Sequence, residues 1–189
     1  MPTTLSPSDA LIVVDVQNDF CAGGALAVPE ANPILPELNR WIESAERGGA
    51  VIVASRDWHP PDHMSFRERG GPWPPHCIQD TEGAAFHSGL RLPPGAVVLS
   101  KGTDPERETY SAFDGTGLTE RLHAAGVRRV WVGGLALDYC VKATVLDARR
   151  EEFETHLIEP ATRPVEAKAG DGDRALEAMR IAGAIIEHP

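Results

Sequence analysis

The stretch Val130 to Leu146 reads VWVGGLALDYCVKATVL. It opens with Val130-Trp131-Val132, a short apolar run of the length a buried parallel strand needs. Gly133 and Gly134 break the run, and Asp138 offers a helix N-cap ahead of the apolar helical spacing Val141, Val145, Leu146. The local expectation is a strand, a turn, and a helix with Cys140 in its first turn. Unpaired N–H groups and the positive end of the macrodipole favour a thiolate there. A nucleophile fits that setting; on this stretch alone a small buried apolar residue fits Cys140 as well.

The same texture recurs on either side. Ala10 to Val14 is a continuous apolar run, as expected of a strand buried on both faces, and it ends in Asp15-Val16-Gln17-Asn18-Asp19-Phe20. Ile34 to Arg47 has helical spacing and stops at Gly48-Gly49. Ala50 to Ala54 is a second buried strand, and Ala96 to Ser100 a third that leads into Lys101-Gly102. Gly117 to Ala125 reads as a helix, Phe153 to Glu159 as a weak strand, Arg174 to Ile181 as a helix, and Ala184 to Ile186 as a last strand. Alternating strands and helices predict an α/β fold: a doubly wound, mainly parallel sheet with helices on both faces. With no repeat and no linker, residues 1–189 are expected to form one domain.

Between Pro60 and about Pro94 no regular element of normal length fits. Prolines 60, 61, 72, 74 and 75 interrupt the chain, and the stretch from residue 59 carries four histidines, at 59, 63, 76 and 87. A long irregular segment inside a compact domain is either functional or disordered, and its aromatic and histidine content argues for function.

Composition excludes several classes. With 28 acidic and 18 basic residues the net charge is −10, a field that repels nucleic acid and anionic membrane. No apolar run approaches the roughly 20 residues of a membrane span. The N-terminus lacks the basic and apolar regions of a secretory signal, and three cysteines (21, 77, 140) make no disulfide framework. The expectation is a reduced cytoplasmic protein. Self-association into a homo-oligomer is left undecided.

Asp15, Lys101 and Cys140 each fall just past a predicted strand, and in a doubly wound sheet those ends share one edge. A carboxylate can take a thiol proton and return it to a leaving amine, while an ammonium favours the ionised neighbours. Attack by Cys140 on a carbonyl would give a thioester, with backbone N–H groups of Gly134-Leu135-Ala136 and Cys140 facing the oxyanion. Taken singly, Asp15 reads as a turn residue and Lys101 as a surface lysine. Asp57 and His59, on one side of an extended segment, could join His76 as one oxygen and two nitrogen ligands for zinc, iron or manganese. His63 and Ser65 are further candidates at such a site, and Cys77 is better suited to packing. Phe20, Trp73, Tyr110 and Phe113 could sandwich a flat ring.

The motifs DVQNDF, SRDWHP, WPPHCIQDTEGAAFH, SKGTD and GGLALDYCVKATVLDA, in this order, closely resemble the nicotinamidase/pyrazinamidase branch of the isochorismatase-like cysteine hydrolases. The resemblance spans about Leu11 to Ala148. It implies hydrolysis of nicotinamide, and of pyrazinamide, to the acid and ammonia, with Asp15, Lys101 and Cys140 as the triad. It implies one divalent metal, zinc first, on Asp57, His59 and His76, holding the pyridine nitrogen. It also implies a cis peptide joining Leu135 to the oxyanion residue Ala136, with Phe20 and Trp73 flanking the ring. The alternative is a metal-free relative acting on another small amide, an N-carbamoyl compound or isochorismate; a metal set for a ring nitrogen favours nicotinamide.

Overall fold

The computed structural model describes residues 4–188. Six strands, β1 (Asp9–Val14), β2 (Val51–Asp57), β3 (Val97–Lys101), β4 (Arg129–Leu135), β5 (Glu154–Arg163) and β6 (Ile185–Glu187), form one sheet in the order β3-β2-β1-β4-β5-β6. Every pairing is parallel. The chain runs outward from β1 to β3, then returns to the other side of β1 and runs outward again to β6. The reversal between β1 and β4 opens a crevice at their carboxyl ends, where such sheets place ligands.

The unbroken apolar run predicted for the first strand is needed because β1 serves two cores. Leu11 and Val13 pack on one face with Leu35, Leu38, Trp41 and Ile42 of α1 (Leu35–Gly48). Ala10, Ile12 and Val14 pack on the other. That second core is closed by α2 (Leu118–Ala124), α3 (Lys142–Arg150) and α4 (Asp171–Ile181), through Leu122, Val145 and Met179 among others. Each large apolar side chain so buried contributes about 1.5–3 kcal/mol. Gly134 has a φ of 121°, and a Cβ there would lie 2.1 Å from the Val14 carbonyl oxygen, so only glycine lets β4 run against β1 at this point.

Two expectations are corrected. The strand expected over Phe153 to Glu159 begins at Glu154 and runs ten residues, irregular between Val132 and Gly134 of its partner, and its polar residues hid its length. Asp138 does not cap its own helix: Leu137–Val141 is a π-helical turn, and the Asp138 carboxylate accepts hydrogen bonds from the Val165 and Glu166 N–H groups instead. Cys140 thus lies within that turn, ahead of α3. Residues 58–96 carry no strand, as expected, but are packed down, with Phe66, Cys77 and Ala84 buried. Among the described residues no helix is long and apolar enough to cross a membrane.

Candidate active site

Asp57 and Lys101 are the last residues of β2 and β3 and are register partners, so their side chains leave the sheet edge side by side. Asp15 follows β1 directly, at a φ of 48°. This left-handed conformation, tolerated by aspartate better than by most residues, turns its carboxylate off the strand direction. Ser55, which follows the apolar run Val51 to Ala54 in β2, donates its hydroxyl to Asp15 Oδ1 at 2.7 Å. The other oxygen, Oδ2, is buried, receives no directed hydrogen bond, and lies 2.8 Å from Lys101 Nζ. Lys101 Nζ also donates to Asp57 Oδ1 at 2.5 Å and to Cys140 Sγ at 3.4 Å. The three strand-end side chains therefore meet, with Asp57 as a fourth member. All are buried; Cys140, the most accessible of them, is only 6% exposed.

The electrostatics differ from the sequence expectation at the thiol. Burial pushes the Cys140 thiol well above its ordinary value, Lys101 works against that rise, and Asp15 and Asp57 add to it. A helix N-terminus does not make a resting thiolate here; the sulfur holds its proton until a base takes it. Burial also raises Asp15, outweighing the opposing Lys101 charge, with Asp57 adding to the rise. Burial opposes charge on Asp57 as well, but Lys101 and then His59 outweigh it and hold that carboxylate well below the usual range. Lys101 stays charged because Asp15 and Asp57 outweigh its own burial. The cluster thus joins an ammonium, a firmly ionised Asp57, and an Asp15 primed to accept a proton.

Asp57 faces a second group. Its Oδ2 lies 3.6 Å from His59 Nε2, and Asp57, His59 and His76 each present a ligand atom within 4.8 Å of the others. His59 Nδ1 donates to the Gly102 carbonyl and His76 Nδ1 to the Pro74 carbonyl, both at 2.8 Å. A carbonyl only accepts, so Nδ1 carries the hydrogen in each ring and both Nε2 lone pairs are left for a cation. Gly102 comes so close that a Cβ would sit 2.5 Å from the His59 ring. One carboxylate oxygen and two oriented imidazoles fit zinc, iron or manganese. His63 and Ser65 pair with each other instead, Nδ1 to Oγ at 2.7 Å, with His63 Nε2 near the Arg107 carbonyl at 3.1 Å. The His63 ring packs tilted against His59 at 4.1 Å, outside the three-residue set.

Between the two groups lies an apolar slot. Phe20, Trp73, Tyr110, Leu135 and Ala136, all named from sequence, line it together with Asp57, His76 and Cys140. The Leu135–Ala136 peptide is cis. Trp73 donates its indole N–H to the Tyr110 hydroxyl at 3.4 Å. Phe113 is not a lining residue but packs on Phe153 in the second core. Sequence reasoning missed Leu26, Val28, Tyr139 and Val165 in the wall. Tyr139, next to the cysteine and edge-on to Trp73 at 5.1 Å, carried a signal; Val165 enters only because β5 ends at the same sheet edge.

Two supporting residues were also missed. Gln17 accepts the Asp57 N–H and donates to the Asp57 and Ala84 carbonyls, completing the end of β2 as a neighbouring strand would. Asp19 Oδ2 accepts the Cys77 N–H at 2.7 Å, tying the first motif to the histidine loop.

Comparison with known proteins gives the same grouping. The chain is similar to the nicotinamidase of Escherichia coli (strain K12), 39% identical over 95% of this chain and 94% of that protein. It is similar to the crystal structure of the pyrazinamidase of Pyrococcus horikoshii in complex with zinc, with a TM-score of 0.92, 50% identity, and coverage of 97% of this chain and 100% of that one. It also matches a protein from L. infantum in complex with nicotinate, with a TM-score of 0.89, 37% identity, and coverage of 99% and 96%. The isochorismatase domain family matches residues 9–188, and the chain belongs to it.

Proposed function

We propose that this protein hydrolyses nicotinamide, and pyrazinamide with it, to the free acid and ammonia, as a single-domain enzyme of NAD salvage. The reducing cytoplasm suits its three unpaired cysteines. The observation that carries the reading is the sharing of Asp57 between the Lys101 cluster and the imidazole pair: a carbonyl-attacking thiol and a cation site open onto one ring-sized slot. A thiol hydrolase without a metal-dependent ring would have no need of that arrangement.

In this reading Phe20 and Trp73 hold the pyridine ring, with Leu135 and Tyr110 completing the slot. Asp15 removes the Cys140 proton as Sγ attacks the carboxamide carbon, which makes the C–S bond. The developing oxyanion accepts hydrogen bonds from the Ala136 and Cys140 N–H groups. Asp15 then gives its proton to the departing nitrogen as the C–N bond breaks, and ammonia leaves a thioester. Water, deprotonated by Asp15, attacks the thioester, releases the acid and restores the thiol. Lys101 holds both carboxylates in place throughout. Asp57, His59 and His76 would hold one divalent ion, zinc before iron or manganese, which supplies a Lewis acid for the ring nitrogen. His63 and Ser65 brace His59 from behind.

The test is ammonia release from nicotinamide alongside isochorismate and N-carbamoyl compounds, with metal content measured on the same sample. Turnover of nicotinamide well above the others, in protein carrying about one ion, is expected. Preference for an N-carbamoyl compound or isochorismate would overturn the reading.

A further inference from the structure

Asp138 lies two residues before Cys140 in the Leu137–Val141 turn and is 5% exposed, yet it touches none of the reacting groups described above. Its two oxygens are both spent on one distant segment. Oδ1 accepts the Val165 N–H at 2.8 Å, and Oδ2 accepts the Glu166 N–H at 3.0 Å. Val165 is a wall of the ring slot, alongside Leu26, Val28 and Leu135. Glu166 is held at a φ of 55°, a conformation its side chain does not favour, and its own carboxylate accepts the Gly170 and Gly172 N–H groups at the start of α4. Between the end of β5 and the first residue of α4, this segment has no sheet or helix ladder to fix it.

We propose that Asp138 is a positioning residue that sets the width of the ring slot by clamping Val165 to the turn that carries Cys140, and so decides which ring substituents are admitted. The inference rests on the proposed amidase reading and adds to it a determinant of substrate choice. Bonds from a charged acceptor to two successive N–H groups are stronger and more directional than neutral ones, so the clamp defines both the height and the tilt of the wall. Because the clamp starts on the nucleophile's own turn, wall and sulfur keep a fixed spacing. A segment tethered only by its apolar side chain would yield to a larger ring. Pocket walls of this kind discriminate by about 10- to 200-fold per added methylene-sized group.

The experiment compares wild type, Asp138→Ala, Asp138→Asn and Val165→Ala. Each is assayed on nicotinamide, on ring-methylated nicotinamides and on quinoline-3-carboxamide, with hydrogen exchange followed across residues 164–170. Asp138→Ala should speed exchange in that segment and raise KM for nicotinamide about tenfold, with a smaller change in kcat. It should also raise the relative kcat/KM for the larger rings by about tenfold or more. Asp138→Asn keeps one acceptor and sets an amide N–H against a backbone N–H; it should move in the same direction by less, and it carries the test if the alanine variant does not fold. Val165→Ala should relax selectivity in the same direction without speeding exchange. The clamp is overturned if the Asp138 variants lower kcat with KM and selectivity unmoved, if exchange is unchanged, or if Val165→Ala leaves selectivity where it was. A wild type inactive on nicotinamide would instead refute the amidase reading, and the exchange comparison would still decide the clamp.

Discussion

Replacing Lys101 with methionine keeps most of the stem and removes the charge that two buried carboxylates share. Nζ lies 2.8 Å from Asp15 Oδ2 and 2.5 Å from Asp57 Oδ1, with all three side chains at most 7% exposed. At an effective dielectric of about 20, a unit charge pair at 2.8 Å is worth about 6 kcal/mol. Desolvation offsets much of that, and removing one partner of a buried pair costs about 3–5 kcal/mol net. For a chain of this size that is a fall in Tm of about 6–20 °C. The pH dependence contributed by Asp57 also changes sign. In the wild type Asp57 is held below its ordinary value of 3.8, so its contribution is present above that pH and lost as pH falls. Without the ammonium, burial and mutual repulsion raise both carboxylates. A raised carboxylate contributes stability below its unfolded pKa that is lost as pH rises through the folded one. Thermal melts of both proteins at about pH 5 and 8 should therefore show the variant losing most ground at the higher pH. Parallel melting curves, with Tm values within about 3 °C at both pH values, would refute the view that Lys101 balances two buried anions.

Cys140→Ala should abolish ammonia release while leaving the melting curve close to wild type, since only a sulfur atom is removed; residual turnover above about 1% would take the thiol out of the chemistry. Asp15→Asn should lower kcat by about 10²–10⁴-fold. Alkylation of Cys140 by a thiol reagent near neutral pH should slow in the same variant, and an unchanged alkylation rate would take Asp15 out of the role of base. Chelation should raise KM for nicotinamide and lower Tm. Zinc at about 100 times its Kd should restore about 2.7 kcal/mol of stability, an effect absent in His59→Ala; equal zinc stabilisation of both proteins would place the ion elsewhere.

The strands that build the crevice were legible because a strand buried on both faces needs an unbroken apolar run, and β1, β2 and the apolar start of β4 each have one. Asp15, Lys101 and Cys140 were legible for the same reason: in a parallel sheet, the residue after the run marks the functional edge. The histidine pair was readable as a spacing, but the partner of each Nδ1 was not, since Pro74 and Gly102 offer only backbone oxygen. The Asp138 clamp was hidden for a physical reason. An aspartate ahead of an apolar helix looks like a cap in one dimension, and only the arrival of Val165 after β5, 27 residues later, brings donors from outside its own helix. The burial that raises the Cys140 thiol was not legible, because helix position is local, whereas burial depends on the whole fold.

Lys101 closes β3, the outermost strand on its side, which pairs only with β2 and leaves Val98 nearly half exposed. Border strands open before the middle of a sheet does, so the ammonium is mounted on one of the first pieces to come loose on warming. Turnover should therefore fade some degrees below the global melting transition, as fraying at the border takes the lysine away from a still-folded centre.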